Sequence, residues 1–321
     1  MKIVFMGTPN FALPCLEVVA RHHQLVGVVT QPDRKKGRGG KISAPPVKVR
    51  AQELGVPISQ PARIKDPDAL AVLKAWSPEI IVVVAYGEIL PSSVLKLPPR
   101  GCINLHASLL PQYRGAAPIP RAIMDGQRVT GVTTMYMDEG MDTGDIILQQ
   151  EVPIGEDMTA GELSLKLAQV GAGLLEKTLA LIEQGRASAI PQDHSRASYA
   201  PMLRSEDEII DWSKPAPAIV NLVRALNPDP GARSRFRDKV LKVWKAKALD
   251  WTETEGESMA ALPSEVAPGT IIQLRKGEGP VVACGHGGAI LIQELQLEGK
   301  SAISGGQFLN GYRPTEAEKL G

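Results

Sequence analysis

Over residues 1–185, short apolar runs alternate with stretches whose apolar positions recur every three or four residues. Runs at 2–6, 25–30, 79–86, 101–105 and 132–137 have strand length and are bounded by Gly, Pro, Asn or Asp. That rhythm predicts βαβ units, with helices covering a mostly parallel sheet. The run Ile80-Ile81-Val82-Val83-Val84-Ala85 shows no polar alternation, as expected of a central strand buried on both faces. From Thr159 to Gly185, Leu163, Leu167, Val170, Leu174 and Leu175 form one stripe, which predicts a long helix capped by the threonine and stopped by the glycine. The expected fold of residues 1–189 is a doubly wound α/β sheet.

Beyond residue 185 the pattern changes. Residues 186–207 carry neither periodicity nor many large apolar side chains, so a linker is expected, placed at 190–208. Runs at 239–244, 269–274, 280–283 and 289–297 are short, β-like and separated by Gly- and Pro-rich turns. They predict a small β-barrel within residues 209–321. The stretch 253–267 reads as a surface loop.

With 321 residues, the length suits about two domains of the usual ~150 residues. Hydrophobic residues at 43% and charged residues at 22% are ordinary for a globular protein. The longest apolar run is far below the ~18 residues of a membrane span, and residues 2–6 are too short for a signal-peptide core. A cytoplasmic protein is expected. Cys15, Cys102 and Cys284 are scattered, which predicts neither disulfides nor a zinc site. Lys plus Arg (36) nearly balances Asp plus Glu (35), but the balance hides a local bias. Between 224 and 247 stand Arg224, Arg233, Arg235, Arg237, Lys239, Lys242, Lys245 and Lys247, against Asp229 and Asp238. This band is either a phosphate-binding face or a solvated strand face, and composition does not choose. The loop 31–46, with Lys35, Lys36, Gly37, Arg38, Gly39, Gly40 and Lys41, likewise suits either a nucleic-acid clamp or a plain surface loop.

The chemistry is narrowed first by what is missing. Gly7 follows the first strand and Asp33 the second, yet the turn Gly-Thr-Pro-Asn-Phe-Ala lacks the glycine spacing of a dinucleotide site. No phosphate-binding G-x-x-x-x-G-K loop, G-x-S-x-G elbow or H-E-x-x-H helix occurs. His22-His23 read as a helix end. More informative is Asn104-Leu105-His106-Ala107-Ser108-Leu109-Leu110-Pro111, where a predicted strand leaves the sheet. Residues two apart on a strand share a face, so Asn104 and His106 project together. An amide donor beside an imidazole suits an oxyanion, although a strand-end histidine is more often a core residue. The turn 138–145, rich in Gly and carboxylates, is either a plain hairpin turn or the source of Asp142 as the group that orients and charge-stabilises that histidine.

Gln31-Pro32-Asp33 with Lys36-Gly37-Arg38-Gly39, Ala85-Tyr86-Gly87, Asn104-x-His106-x-Ser108-Leu109-Leu110-Pro111-x-Tyr113-Arg114-Gly115-Ala116-Ala117-Pro118 and Asp138-x-Gly140-Met141-Asp142-Thr143-Gly144 occur in this order. In these motifs, and across nearly its whole length, the chain resembles the methionyl-tRNA formyltransferases of the folate-dependent formyltransferase superfamily. The resemblance implies a Rossmann-like catalytic domain and an OB-like C-terminal tRNA-binding domain. It also implies formyl transfer from 10-formyltetrahydrofolate to the α-amine of methionyl initiator tRNA, by a monomer without metal. Asn104, His106 and Asp142 become the implied catalytic residues. Tyr86, Gly87, Glu88, Ile89, Leu90, Ser108, Leu109, Leu110, Pro111, Asp138 and Gly140 become the folate site. Lys36, Arg38, Lys41, Arg204, Arg224, Arg233, Arg235 and Arg237 become the tRNA contacts. Arg204 departs from the pattern, which carries a lysine there, but keeps the charge. Three alternatives differ in acceptor or in class: a sugar-nucleotide amine formyltransferase, a formyltetrahydrofolate hydrolase, and a tRNA-binding protein without catalysis.

Overall fold

A computed structural model of the chain describes residues 1–36, 41–249 and 266–321. The expected surface loop at 253–267 therefore falls almost wholly outside the described residues, as does Arg38. The chain divides into two compact units, Met1–Pro118 with Val129–Pro153 and Ser164–Met202, and Ile119–Arg128 with Ile154–Leu163 and Leu203–Gly321.

The first unit is built on β1 (Lys2–Gly7), α1 (Leu13–His22), β2 (Gln24–Val29), β3 (Arg34–Lys36), β4 (Lys41–Ser43), α2 (Pro46–Glu53), β5 (Ile58–Ser59), α3 (Pro67–Trp76), β6 (Ile80–Val84), α4 (Ser92–Leu95) and β7 (Cys102–His106). After α5 (Pro118–Met124) come β8 (Val129–Tyr136), β9 (Ile146–Pro153) and α6 (Ala160–Glu183). Seven strands form one sheet in the order β5-β2-β1-β6-β7-β8-β9. From β5 to β7 the pairs are parallel, and all five residues of β6 are buried. β-branched side chains on a strand covered from both sides account for this. The last two pairs are antiparallel. β9 escapes a reading of the pattern because Gln149, Gln150 and Glu151 lie exposed on an edge strand, which erases its apolar signature.

Strand order reverses between β1 and β6, so a crevice opens beyond their carboxyl ends. Gly7 is needed there for close approach, since a Cβ would stand 2.9 Å from the Val84 carbonyl oxygen and from Ala12. Asp33, beyond β2, is tied to Lys48 Nζ at 2.8 Å and to Gln60 Nε2 at 2.8 Å. Those two hydrogen bonds, the Gln60 one first, hold its carboxyl below the ordinary range. Residues on either side of the undescribed 37–40 form an antiparallel hairpin, with Lys36 opposite Lys41, where the composition alone reads as a loop.

α6 starts as its sequence predicts. Thr159 Oγ1 accepts from the Glu162 N–H, and the Glu162 carboxylate accepts from the Thr159 N–H at 2.8 Å, a reciprocal cap. Gly185, at φ +68°, ends the helix. The stretch that follows is poor in regular structure yet fastened down: Ile190 pairs with Ile146, and Tyr199 with Arg114.

The second unit adds α7 (Ala216–Ala225), β10 (Ala232–Phe236), β11 (Lys239–Leu249), β12 (Ile271–Arg275), β13 (Gly279–Ala283), β14 (Ala289–Leu297), β15 (Ile303–Ser304) and α8 (Gly305–Tyr312). The antiparallel order is β10-β11-β14-β13-β12, with β15 beside β14. The chain end fills the gap between the outer strands: Leu320 bridges Phe236 and Lys319 bridges Thr270. The enclosed core contains Trp212, Ile219, Leu241, Val243, Ile290, Ile292 and Phe308.

Candidate active site

β7 delivers Asn104 and His106 to the carboxyl end of the sheet from alternate positions on one face. The Asn104 side chain is half-buried and makes no hydrogen bond to another described residue. His106 is 6% exposed, and its Nε2 lies 2.9 Å from the Tyr113 carbonyl oxygen. A carbonyl only accepts, so Nε2 carries the hydrogen and the ring is pinned by it. The other nitrogen, Nδ1, faces Asp142 Oδ2 at 3.6 Å.

Asp142 sits in the left-handed region at φ +53°, inside the turn that follows β8. Its Oδ2 accepts the Gly115 N–H at 2.8 Å. Gly115, at φ +117°, has no room for a Cβ, which would stand 2.9 Å from the Ala200 carbonyl oxygen. The loop carrying Tyr113 and Gly115 is clamped by residues 198–200. Tyr113 N–H donates to Ser198 Oγ at 2.9 Å, Arg114 N–H to the Ser198 carbonyl at 2.8 Å, and Ala200 N–H to the Arg114 carbonyl at 2.7 Å. Deeper in the same segment, Gln192 donates to the carbonyls of Asp142 and Gly144. No local signal marks Ser198 or Gln192, because their importance comes from the loops they meet.

The predicted donor-site residues separate into two groups. Gly87, Ile89 and the turn residues Asp138 and Gly140 are exposed, Ile89 by 74%, and Leu109 and Pro111 are half-buried. Around Gly87, at φ +96°, the Gln31 side chain alone among the described residues comes within 4 Å of where a Cβ would stand. Tyr86, Leu90, Ser108 and Leu110 are instead buried. Tyr86 and Leu90 belong to one core cluster, against which Met137 also packs, so the two predicted wall segments adjoin. Burial holds the Tyr86 phenol well above its usual range, and its hydroxyl has no partner among the described residues; what Tyr86 offers outward is backbone, its carbonyl accepting from Thr8 Oγ1 at 2.9 Å. Ser108 donates to the Gln112 carbonyl at 2.6 Å and shapes the loop from within. Glu88 accepts from Gln31 Nε2 and from the Ile64 N–H.

The basic candidates are also unequal. Arg224 donates to the carbonyls of Gly155 and Met158 at 3.1 and 3.2 Å, and burial lowers its pKa. Arg233 is paired with Glu208, and Arg237 with Glu318 at 2.9 Å. Lys242 donates to the Pro230 carbonyl. Arg235 is exposed, and its side chain donates to the Asp238 carbonyl at 3.2 Å. Lys245 and Lys247 are exposed on β11, and Arg204 is exposed as well. The three cysteines are unpaired and buried, and burial pushes each thiol up to about 12, which disfavours a thiolate nucleophile. No His, Cys, Asp and Glu cluster suited to a metal occurs among the described residues, and none of the described helices is long and apolar enough to cross a membrane.

An open sheet with an amide, an imidazole and a carboxylate at its carboxyl end, followed by an antiparallel barrel, matches two family descriptions. Residues 1–179 match Formyl transferase, and residues 202–313 match Formyl transferase, C-terminal domain. The architecture is thus that of the formyl transferases. A methionyl-tRNA formyltransferase of Pelotomaculum thermopropionicum is 48% identical over 322 residues, covering 100% of this chain and 99% of that one. One from Moorella thermoacetica is 47% identical with 100% and 99% covered. The chain belongs to the methionyl-tRNA formyltransferase family, and it is a one-carbon transferase. Among solved structures, an N-formyltransferase from Helicobacter canadensis in complex with folinic acid and dTDP-3-aminofucose shares the fold at TM-score 0.65 and 19% identity, covering 91% of this chain and 98% of that one.

Proposed function

We propose that Asn104, His106 and Asp142 carry out formyl transfer from 10-formyltetrahydrofolate to the α-amine of methionyl initiator tRNA. The observation that carries this reading is the Asn104 amide, left without a described protein partner beside a histidine whose ring is pinned and whose free nitrogen faces a carboxylate. The bound folate supplies an activated formyl carbonyl. Asn104 donates to the oxygen that gains charge as the amine adds, and His106 supports the same oxygen. Asp142 lies opposite Nδ1, where it fixes the ring and takes up, directly or through water, the proton the amine loses; the bond from the formyl carbon to N10 of the folate then breaks, and that nitrogen leaves with a proton as tetrahydrofolate. The exposed Gly87, Ile89, Asp138 and Gly140 are the residues that receive the folate ring system. The tRNA is held by the basic hairpin and by the exposed cations of the barrel, and the enzyme works as a monomer in the cytoplasm.

The 48% identity over the full chain favours a tRNA acceptor over a sugar nucleotide. A turnover assay with 10-formyltetrahydrofolate tests the reading. Product should form with methionyl-tRNA, while a dTDP-amino sugar gives none and water gives only a trace of released formate. Equal turnover with the sugar, or hydrolysis without an acceptor, rejects it.

A further inference from the structure

One buried amide borders the site without entering the chemistry above. Gln192 is 6% exposed, and both ends of its side chain are committed. Nε2 donates to the Asp142 carbonyl at 2.9 Å and to the Gly144 carbonyl at 2.7 Å. Oε1 accepts from Arg114 twice, from Nη2 at 2.6 Å and from Nε at 3.2 Å. Arg114 is itself 2% exposed, and its only other side-chain partner among the described residues is His194 Nδ1, at 3.2 Å. Among the described residues no carboxylate stands within salt-bridge distance of it.

A guanidinium buried among neutral acceptors is costly to keep. It also has only donors, so the Gln192 oxygen must face it and the amide cannot flip. The two Nε2 hydrogens are thereby forced onto the carbonyls of residues 142 and 144. The first of these carbonyls belongs to Asp142 itself, whose backbone sits at φ +53°, a conformation that a residue with a Cβ keeps only where its surroundings impose it. The carboxylate leaving that backbone is anchored by the N–H of Gly115, the residue next to Arg114. One guanidinium and one amide therefore connect both supports of the Asp142 side chain.

We propose that Gln192, oriented by the buried Arg114, is a positioning residue that holds Asp142 in the backbone conformation from which its carboxylate meets His106. The inference rests on the reading of Asp142 and His106 as catalytic. Gln192→Glu keeps the side-chain length and the Arg114 partner but loses both donors to the turn. Turnover number should fall about 10–100-fold, the scale of a misplacement near 1 Å, with KM for donor and methionyl-tRNA within about twofold by the same reasoning. The acid limb of the pH–rate profile should move, which a purely structural defect would not cause. Gln192→Asn, one methylene short, should lose turnover in the same sense, and it decides the matter if Gln192→Glu does not fold. A folded variant with wild-type turnover and an unmoved pH profile overturns the proposal. Asp142→Asn in the same assay separates the two ideas. If it is fully active, the catalytic reading itself fails; if it is crippled while the folded Gln192 variants are not, only the positioning role fails.

Discussion

At the scale of single residues, one group of the site stands apart from the hydrogen bonds that hold the other two. Asn104 has no described hydrogen-bond partner, so Asn104→Ala removes a donor without leaving a protein acceptor stranded. Its turnover should drop by about 10²–10³, the usual loss for one oxyanion donor, with the melting temperature hardly changed. Steady-state kinetics with saturating donor and acceptor, alongside a thermal melt, measure both. Asp142→Asn keeps the volume and still accepts the Gly115 N–H through its amide oxygen, but removes the charge opposite His106 Nδ1. A loss of about 10²–10⁴ is expected, the range for a general acid–base group. An active Asp142→Asn enzyme across the whole pH profile would reduce Asp142 to a turn residue.

At the scale of elements, the hairpin of β3 and β4 and the clamp on α5 make separate predictions. Arg38 lies between glycines, with Lys36 and Lys41 on the flanking strands. Arg38→Ala should lower kcat/KM for methionyl-tRNA while donor affinity, read by equilibrium titration, stays unchanged. An equal loss with a small amine acceptor would mean damage to the active site instead. On α5, Arg121 forms a two-pronged pair with Asp207, Nη1 to Oδ1 at 3.2 Å and Nη2 to Oδ2 at 2.6 Å. The Arg121 hydrogen bond, then the Arg204 N–H, hold the Asp207 carboxyl below the usual carboxylate range. A depressed folded pKa contributes stability that is present above the unfolded value and lost as pH falls through the folded one. Arg121→Met should therefore cost on the order of 1 kcal/mol at pH 7. The gap between the two proteins should close as pH falls below the carboxylate range, a trend that urea unfolding of both at pH 7, 5 and 3 would reveal. A gap independent of pH would show that packing, not charge, carries the effect.

At the scale of the whole molecule, a net charge of +1 leaves tRNA binding to local patches. Arg224, Arg233, Arg237 and Lys242 are held by acidic or backbone partners, which leaves Lys239, Lys245 and Lys247 exposed on β11 and Arg235 exposed with one carbonyl contact at 3.2 Å; of these four, Arg235, Lys245 and Lys247 are the three to test. If these neutralise phosphates, binding releases counterions, and log affinity falls with log salt by roughly 0.7–0.9 per contact. Replacing the three by Ala should flatten the line by up to about two to three units on that scale, without altering turnover of bound substrate. Arg233→Ala with Arg237→Ala should change the slope far less. Filter binding across a salt series tests both, and indistinguishable slopes for wild type and the Arg235, Lys245, Lys247 variant would identify the band as a solvated surface.

What the chain declared by itself was local. Five consecutive apolar positions at 80–84, the Thr159 and Glu162 cap and the Gly185 stop announce β6 and α6, because strand and helix periods and end caps are set by neighbours within a few residues. Asn104 and His106 are legible for the same reason, two apart on a strand that ends at the crevice. The closing of the site is not local. Asp142 meets His106 across 36 positions of sequence, a separation that a motif can suggest and only a shared sheet can bridge. Tyr86 reads from the sequence as a wall of the donor site and turns inward, since β6 delivers it into a core that its own run cannot indicate. Arg233 and Arg237 read as free cations until Glu208 and Glu318 are folded onto them. Gln192 gives no sign at all: a lone polar residue in an aperiodic segment acquires its role from two carbonyls and a buried guanidinium that only the tertiary structure brings within hydrogen-bonding distance.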